Sequence, residues 1–240
     1  KQGRRVTHNP IIAALDLPSA EQALTLAQKI VPHVGAFKIG SELFTTAGPD
    51  VVRRVRDLGA VVFLDLKFHD IPNTVAKAVA AATRCGVQML TVHTSGGLEM
   101  MRAAEESARE TAPAGGAVPL VLGVTVLTSM DMEALAGIGC RDTPGKQVQR
   151  LAELAQRAGL RGLVCSPLEI AGLRQTLPGM KLVTPGIRSG HVSGDDQKRT
   201  LSAAEAIGAG ADWLVIGRPI YGAADPAEAA RRLMEQARPG

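Results

Sequence analysis

The chain has 240 residues, 45% apolar and 21% charged, enough to bury a core in one large domain or two small ones. Aromatics make up only 2%, which leaves no stacking platform of the kind single-stranded nucleic-acid binders use. A dispersed net charge of +4 argues for a small anionic ligand at least as well as for nucleic acid. Cys85, Cys140 and Cys165 are odd in number and contain no CxxC pair, so no disulfide framework is expected. No apolar run reaches membrane-spanning length. After Arg4 and Arg5, the run IIAALDLP meets Asp16 and Pro18 too soon to form a signal-peptide core. The cytoplasm is the expected compartment.

Short apolar runs alternate with amphipathic stretches from end to end. The first expected strand is Ile11–Leu15, followed by a helix from about Ser19, with Ser19 as N-cap and Glu21 in the first turn. The second is Ala36–Ile39, followed by a short helix near Glu42 and another over Pro49–Leu58. The third is Val61–Asp65 with a helix over Asn73–Arg84, and the fourth is Val87–Val92 with Leu98–Arg109. The fifth is Pro119–Val126, then helices near Met132–Leu135 and Lys146–Ala158. The sixth is Gly162–Cys165, then Leu168–Gln175. The seventh is Lys181–Thr184, then Ser202–Ala209. The eighth is Asp212–Ile216, with a closing helix over Pro226–Ala237. Glycines 35, 59, 86, 159 and 210 stand where helices should stop before the next strand.

Eight strand–helix pairs in this length match an α/β chain folded as a single (β/α)8 TIM barrel, which typically takes about 250 residues. A doubly wound open sheet would more often carry a glycine-rich dinucleotide turn after its first strand. Here LDLPSAEQ follows instead. With no linker-like tract, residues 1–240 are expected to form one domain, with 1–9 as an N-terminal extension of no assigned role.

In such a barrel the site lies at the C-terminal ends of the strands. Those ends carry Asp16, Lys38, Asp65 with Lys67, His93, Thr128 with Ser129, Ser166, Arg188 and Arg218. The most informative stretch is Val61–Val75, VVFLDLKFHDIPNTV. Strand alternation puts Asp65 and Lys67 on one face, so a carboxylate and an ammonium project together where an apolar strand ends. Asp70 follows, and Pro72, Asn73 and Thr74 read as a turn and helix start. A lone Asp-x-Lys would ordinarily be a solvated ion pair. The loops after strands seven and eight, TPGIRSGHVSGDDQKR and IGRPIYG, hold phosphate in many such barrels. Gly186 and Gly217 permit close backbone approach, and Arg188 and Arg218 can make charge-assisted contacts. For Arg218 alone, a phosphate contact and a loop salt bridge fit equally. The five histidines form no HxH or HExxH pattern, so no metal site is expected, and no GxSxG elbow is present.

The run DLKFHDIPNTV resembles the signature of the orotidine 5'-monophosphate decarboxylase family in its bacterial form. ALDLP at 14–18, FKIG at 37–40, VLTS at 126–129, TPGIR at 184–188, DDQKR at 195–199 and IGRPI at 216–220 are similar to its other motifs, in family order. The resemblance implies conversion of orotidine 5'-monophosphate to uridine 5'-monophosphate, the last step of pyrimidine nucleotide synthesis, with neither metal nor organic cofactor. It implies that Lys67 protonates C6, that Asp65 sits beside the substrate carboxylate, and that Lys38 joins the charge network and the ribose. It places Asp16 on a ribose hydroxyl, Asn73 and Thr74 among the substrate contacts, and Thr128 and Ser129 near the pyrimidine. Arg188, Gln197, Gly217 and Arg218 match the phosphate group. Asp70 matches an aspartate that reaches into the partner's site, which implies a homodimer with shared sites and no nucleic-acid or membrane partner. Two rivals are a metal-dependent keto-gulonate phosphate decarboxylase on a similar barrel and a catalytically silent nucleotide-binding barrel.

Overall fold

The computed structural model describes residues 8–187 and 201–237. Eight strands, β1 (Ile11–Ala14), β2 (Ala36–Gly40), β3 (Val62–Phe68), β4 (Met89–His93), β5 (Leu120–Val124), β6 (Gly162–Val164), β7 (Lys181–Thr184) and β8 (Trp213–Ile216), pair in chain order. Every pairing is parallel, and β8 returns to β1 to close the barrel. Helices connect the strands, as a parallel crossover requires. No helix among the described residues is long and apolar enough to cross a membrane.

Alternation along each strand sorts the core into two clusters. Ile11, Phe37, Ile39, Val62, Leu64, Leu90 and Leu214 pack outward against the helices. Ile12, Ala36, Phe63, Met89, Leu122 and Val183 fill the barrel's interior. Burial of each large apolar side chain contributes about 1.5–3 kcal/mol, offset by the cost of ordering the chain. Two residues further along the interior face, Lys38 follows Ala36, Asp65 follows Phe63 and Thr91 follows Met89. The apolar layer is therefore the floor beneath a polar one.

Side-chain caps set the helix starts. The hydroxyl of Ser19 accepts from the Gln22 amide, and Ser202 and Glu205 cap each other around the helix Ala203–Ala209. Glycines 59, 86, 159 and 210 adopt positive φ at the ends expected of them. Gly35 serves a different purpose. A Cβ there would lie 2.0 Å from the Asn9 carbonyl oxygen, so close backbone approach demands glycine.

At the N-terminal end, Asn9 accepts from the Ile11 amide and donates to the His33 carbonyl. Asp212 is buried there beside Arg174 at 2.6 Å and Lys181 at 3.2 Å, and accepts from the Leu182 amide at 2.9 Å. Burial would raise this carboxyl. The Leu182 amide and the two cations outweigh it and hold Asp212 below its ordinary 3.8.

Several elements differ from the sequence expectation. β5 is shorter at both ends and β8 starts one residue later, while a four-residue helix, Arg218–Tyr221, forms where the sequence reads as loop. The difference in β3 matters most. β3 does not end at Asp65 but continues through Phe68, by way of a bulge.

Candidate active site

The bulge is built into the register of β3 against β4. Leu64 pairs with Leu90, but the next paired residues are Phe68 and Val92. Asp65, Leu66 and Lys67 thus stand opposite Thr91 alone. A strand absorbs such an excess only by leaving regular geometry. Among the described residues, Lys67 is the one non-glycine residue with positive φ, at 50°. Asp65 and Lys67 do share a side, but through this left-handed residue and not through simple alternation.

The result is a tight charge pair. Lys67 Nζ lies 2.8 Å from Asp65 Oδ1 and 2.9 Å from Oδ2. Asp65 is largely buried, with its side chain 14% exposed, whereas Lys67 remains 36% exposed on the cavity side. The buried hydroxyl of Thr91 donates to Asp65 Oδ1 at 2.9 Å and accepts the Lys67 amide at 2.9 Å. Charge-assisted bonds of this kind are the strong ones.

A second pair stands nearby on β2 and the end of β1. Lys38 Nζ bonds to Asp16 Oδ1 at 2.7 Å. Ala14 is in register with Lys38, which brings Asp16, two residues on, across to it. Gly40 leaves room for this contact, since a Cβ there would lie 3.0 Å from Lys38 Nζ. No ion pair among the described residues joins Lys38 to Asp65. Within this chain the charged residues stand as two pairs, Lys67–Asp65 and Lys38–Asp16, with Asp70 apart from both. Asp70 is exposed and accepts from the adjacent Ile71 amide.

Two adjoining cavities open at this rim. One, of about 350 Å³, is walled by Asp16, Lys38, Gly186, Gly217, Arg218 and Tyr221. The other, of about 190 Å³, has an apolar wall that includes Phe63, Val126, Val164 and Cys165, with Asp65, Lys67 and Thr128 set into it. Lys38, Pro185 and Val215 line both. A charged compartment therefore meets an apolar one at Lys38.

Neighbouring titratable groups are quiet. The His93 and His69 rings lie 5.6 Å apart. Burial, reinforced by His69 and Lys67, lowers His93 below its ordinary 6.5 and leaves it neutral at pH 7. Burial, assisted by the Glu169 carboxylate, pushes the Cys165 thiol up to about 12, so it is a wall and not a nucleophile. No three metal-ligating side chains converge among the described residues.

Of the residues singled out from sequence, Asp16, Lys38, Asp65, Lys67, Thr128, Gly217 and Arg218 line the two cavities. Ser129, Asn73 and Thr74 are exposed and line neither. Arg188 and Gln197 lie outside the described residues. Sequence reasoning missed Thr91, Tyr221 and most of the apolar wall. The one available signal for Thr91 was a hydroxyl inside the otherwise apolar run MLTV.

Comparison with known proteins gives a consistent result. A profile of the Orotidine 5'-phosphate decarboxylase / HUMPS family matches residues 9–233. An orotidine 5'-phosphate decarboxylase of Pseudomonas fluorescens strain SBW25 is 54% identical over 224 residues, covering 93% of this chain and 95% of the relative. One from Pseudomonas aeruginosa is 55% identical over 222 residues, covering 92% and 94%. The crystal structure of orotidine 5'-phosphate decarboxylase from Lactobacillus acidophilus superposes with a TM-score of 0.85 at 37% identity, over 95% of this chain and 99% of that one.

Proposed function

The chain belongs to the orotidine 5'-phosphate decarboxylase / HUMPS family, and on that premise we propose that it converts orotidine 5'-monophosphate to uridine 5'-monophosphate and carbon dioxide, the last step of de novo pyrimidine nucleotide synthesis. The observation that carries the reading is the Asp65–Lys67 pair in the wall of an apolar cavity that adjoins a charged one. A pyrimidine suits the first compartment and a ribose phosphate the second.

In this reading the C6–carboxylate bond breaks, carbon dioxide leaves, and the electron pair stays on C6. No adjacent group delocalises it, so stabilisation must come from fixed charge. The Lys67 ammonium supplies that charge, and its proton then forms the new C6–H bond. The resulting neutral amine regains a proton from water. Asp65 holds the ammonium in place and lies where the substrate carboxylate must pass. Its repulsion of that carboxylate raises the energy of the bound substrate relative to the transition state. The chemistry needs neither a metal ion nor an organic cofactor, because acid and electrostatic stabiliser are one side chain.

Asp16 and Lys38 are assigned to the ribose hydroxyls, and Gly217 and Arg218 to the phosphate, joined there by Arg188 and Gln197. Thr128 and Ser129 attend the pyrimidine. Binding energy from the phosphate compartment, remote from C6, can be expressed in the transition state. We assign Asn73 and Thr74 to substrate contacts, and Asp70 to the partner's site in a homodimer. Supporting this, Asp70 is exposed in the single chain and is followed by Ile71, an apolar side chain 67% exposed. The cytoplasm is the proposed compartment, which the three free thiols support.

The test is loss of orotidine 5'-monophosphate, followed by absorbance in excess chelator. Rapid turnover is expected. No turnover, with magnesium-dependent activity on a keto-sugar phosphate, would make the metal-dependent rival correct. Tight nucleotide binding with neither activity would indicate the silent barrel. For the shared site, Asp70→Ala and Lys67→Ala proteins, each inactive alone, are expected to regain turnover on mixing. Failure of subunit-exchanged mixtures to do so would remove Asp70 from the partner's site.

A further inference from the structure

We infer that the Thr91 hydroxyl is a positioning group that locks the β3 bulge and so aims the Lys67 ammonium. Thr91 is fully buried, on the interior face of β4 between Met89 and His93. A buried hydroxyl is costly unless bonded, and here both of its capacities are used. It accepts the Lys67 amide proton at 2.9 Å, and its own proton points to Asp65 Oδ1, also at 2.9 Å. The direction is fixed, because an ionised carboxylate only accepts and an amide only donates.

The register explains why a side chain is needed. Thr91 is the single β4 residue opposite Asp65, Leu66 and Lys67, so the regular ladder cannot pair all three. The hydroxyl takes the amide of the left-handed Lys67 in place of a backbone carbonyl. The same oxygen bonds the carboxylate that grips the Lys67 ammonium. One atom thereby ties down the backbone and the counter-ion of the lysine together. Thr91 lines neither cavity, so it acts on substrate only through these two residues.

The inference rests on the assignment of Lys67 as proton donor, and its test separates the two ideas. Thr91→Val keeps the shape and removes the hydroxyl, while Thr91→Ser keeps the hydroxyl. Loss of a hydrogen bond to a charged group predicts a kcat for Thr91→Val about 10- to 100-fold lower, with KM changed by less than about threefold. Thr91→Ser should recover most of that loss, which a purely packing role would not produce. Crystal structures of both variants give a second readout. In Thr91→Val, Lys67 should leave positive φ and its ammonium should withdraw from Asp65; in Thr91→Ser both features should persist. Should Thr91→Val not fold, Thr91→Cys replaces it, its thiol being a weak donor and acceptor. Unchanged kcat in Thr91→Val, or equal losses in the Val and Ser variants, would overturn the inference. If the wild type shows no turnover, the decarboxylase reading fails and the structures alone decide. A Val variant that keeps both the Lys67 conformation and its contact with Asp65 would then refute the clasp.

Discussion

The backbone at Lys67 leads to a prediction in which stability separates two variants that activity does not. Lys67 is held at φ 50°, where an L-residue with a Cβ is strained by about 1–2 kcal/mol and glycine is not. Replacing Lys67 by alanine or by glycine removes the ammonium equally, and both variants lose the contacts to Asp65. They differ only in the Cβ. Glycine relieves the strain but costs about 0.5–1 kcal/mol of extra chain entropy, leaving Lys67→Gly more stable than Lys67→Ala by about 0.5–1 kcal/mol. In a domain of this size that is a rise in Tm of about 1–4 °C. Both variants should abolish turnover, and nucleotide binding should stay measurable, because Arg218 and the Asp16–Lys38 pair are untouched. Thermal and urea unfolding of the two, side by side, check the first claim. Product titration checks the second. An alanine variant as stable as the glycine variant would refute the strain argument, and retention of most activity in either would remove Lys67 as the acid.

Arg218→Ala should weaken substrates that carry a phosphate, lowering kcat/KM for orotidine 5'-monophosphate by about 10- to 100-fold, the scale of a lost charge-assisted contact. Phosphate-free orotidine should be nearly unaffected, and an equal loss on both would place Arg218 elsewhere. At the opposite end of the barrel, Asp212→Asn breaks a buried charge cluster and should cost about 2–4 kcal/mol, or about 5–15 °C in Tm. Because the folded-state pKa of Asp212 lies below its ordinary 3.8, its stabilisation is present above that value and is lost as pH falls through the depressed one. The stability gap between wild type and Asp212→Asn should therefore be constant near neutrality and close only below about pH 4. A gap that shrinks already between pH 7 and 5 would show that another group carries it.

The barrel was legible because its strands are buried on both faces. A parallel strand so placed reads as a short, continuous apolar run, and glycines and capping residues mark the helix ends between such runs. The departures have local causes. The third strand was expected to end at Asp65 because charge ordinarily marks a strand end, whereas here the charged residues are a bulge within it. Alternation reached the right side for Lys67 by the wrong route, since a two-residue period does not hold through a left-handed residue. The partner of Lys38 was hidden for a different reason. Asp16 reaches it only through the β1–β2 register, which no pattern within either strand records. The helix Arg218–Tyr221 is hidden in the sequence because RPIY is too short to show a period. Thr91 looked like one tolerated polar residue in a core strand.

The irregularities are confined in a way that bears on how the site works. Below the bulge the pairing is regular, with Phe63 opposite Met89 and Leu64 opposite Leu90, and these side chains are almost wholly buried. Above it, a largely buried carboxylate, a left-handed lysine and a register shift occur within three residues. Features of this kind cost on the order of 1–3 kcal/mol each and persist only when their surroundings over-determine them. A closed barrel provides such surroundings, because β3 is paired on both sides and has no free edge through which the bulge could relax. The strain is thus borne by a rigid floor and placed at the open end, where the lysine meets the cavity. An ammonium held this way needs little reorganisation when charge develops in front of it, the condition under which electrostatic stabilisation is most effective. On this argument Thr91 and the unbroken β2–β3–β4 pairing beneath it belong to the same device as Lys67. Loosening either should degrade the chemical step before it degrades substrate binding.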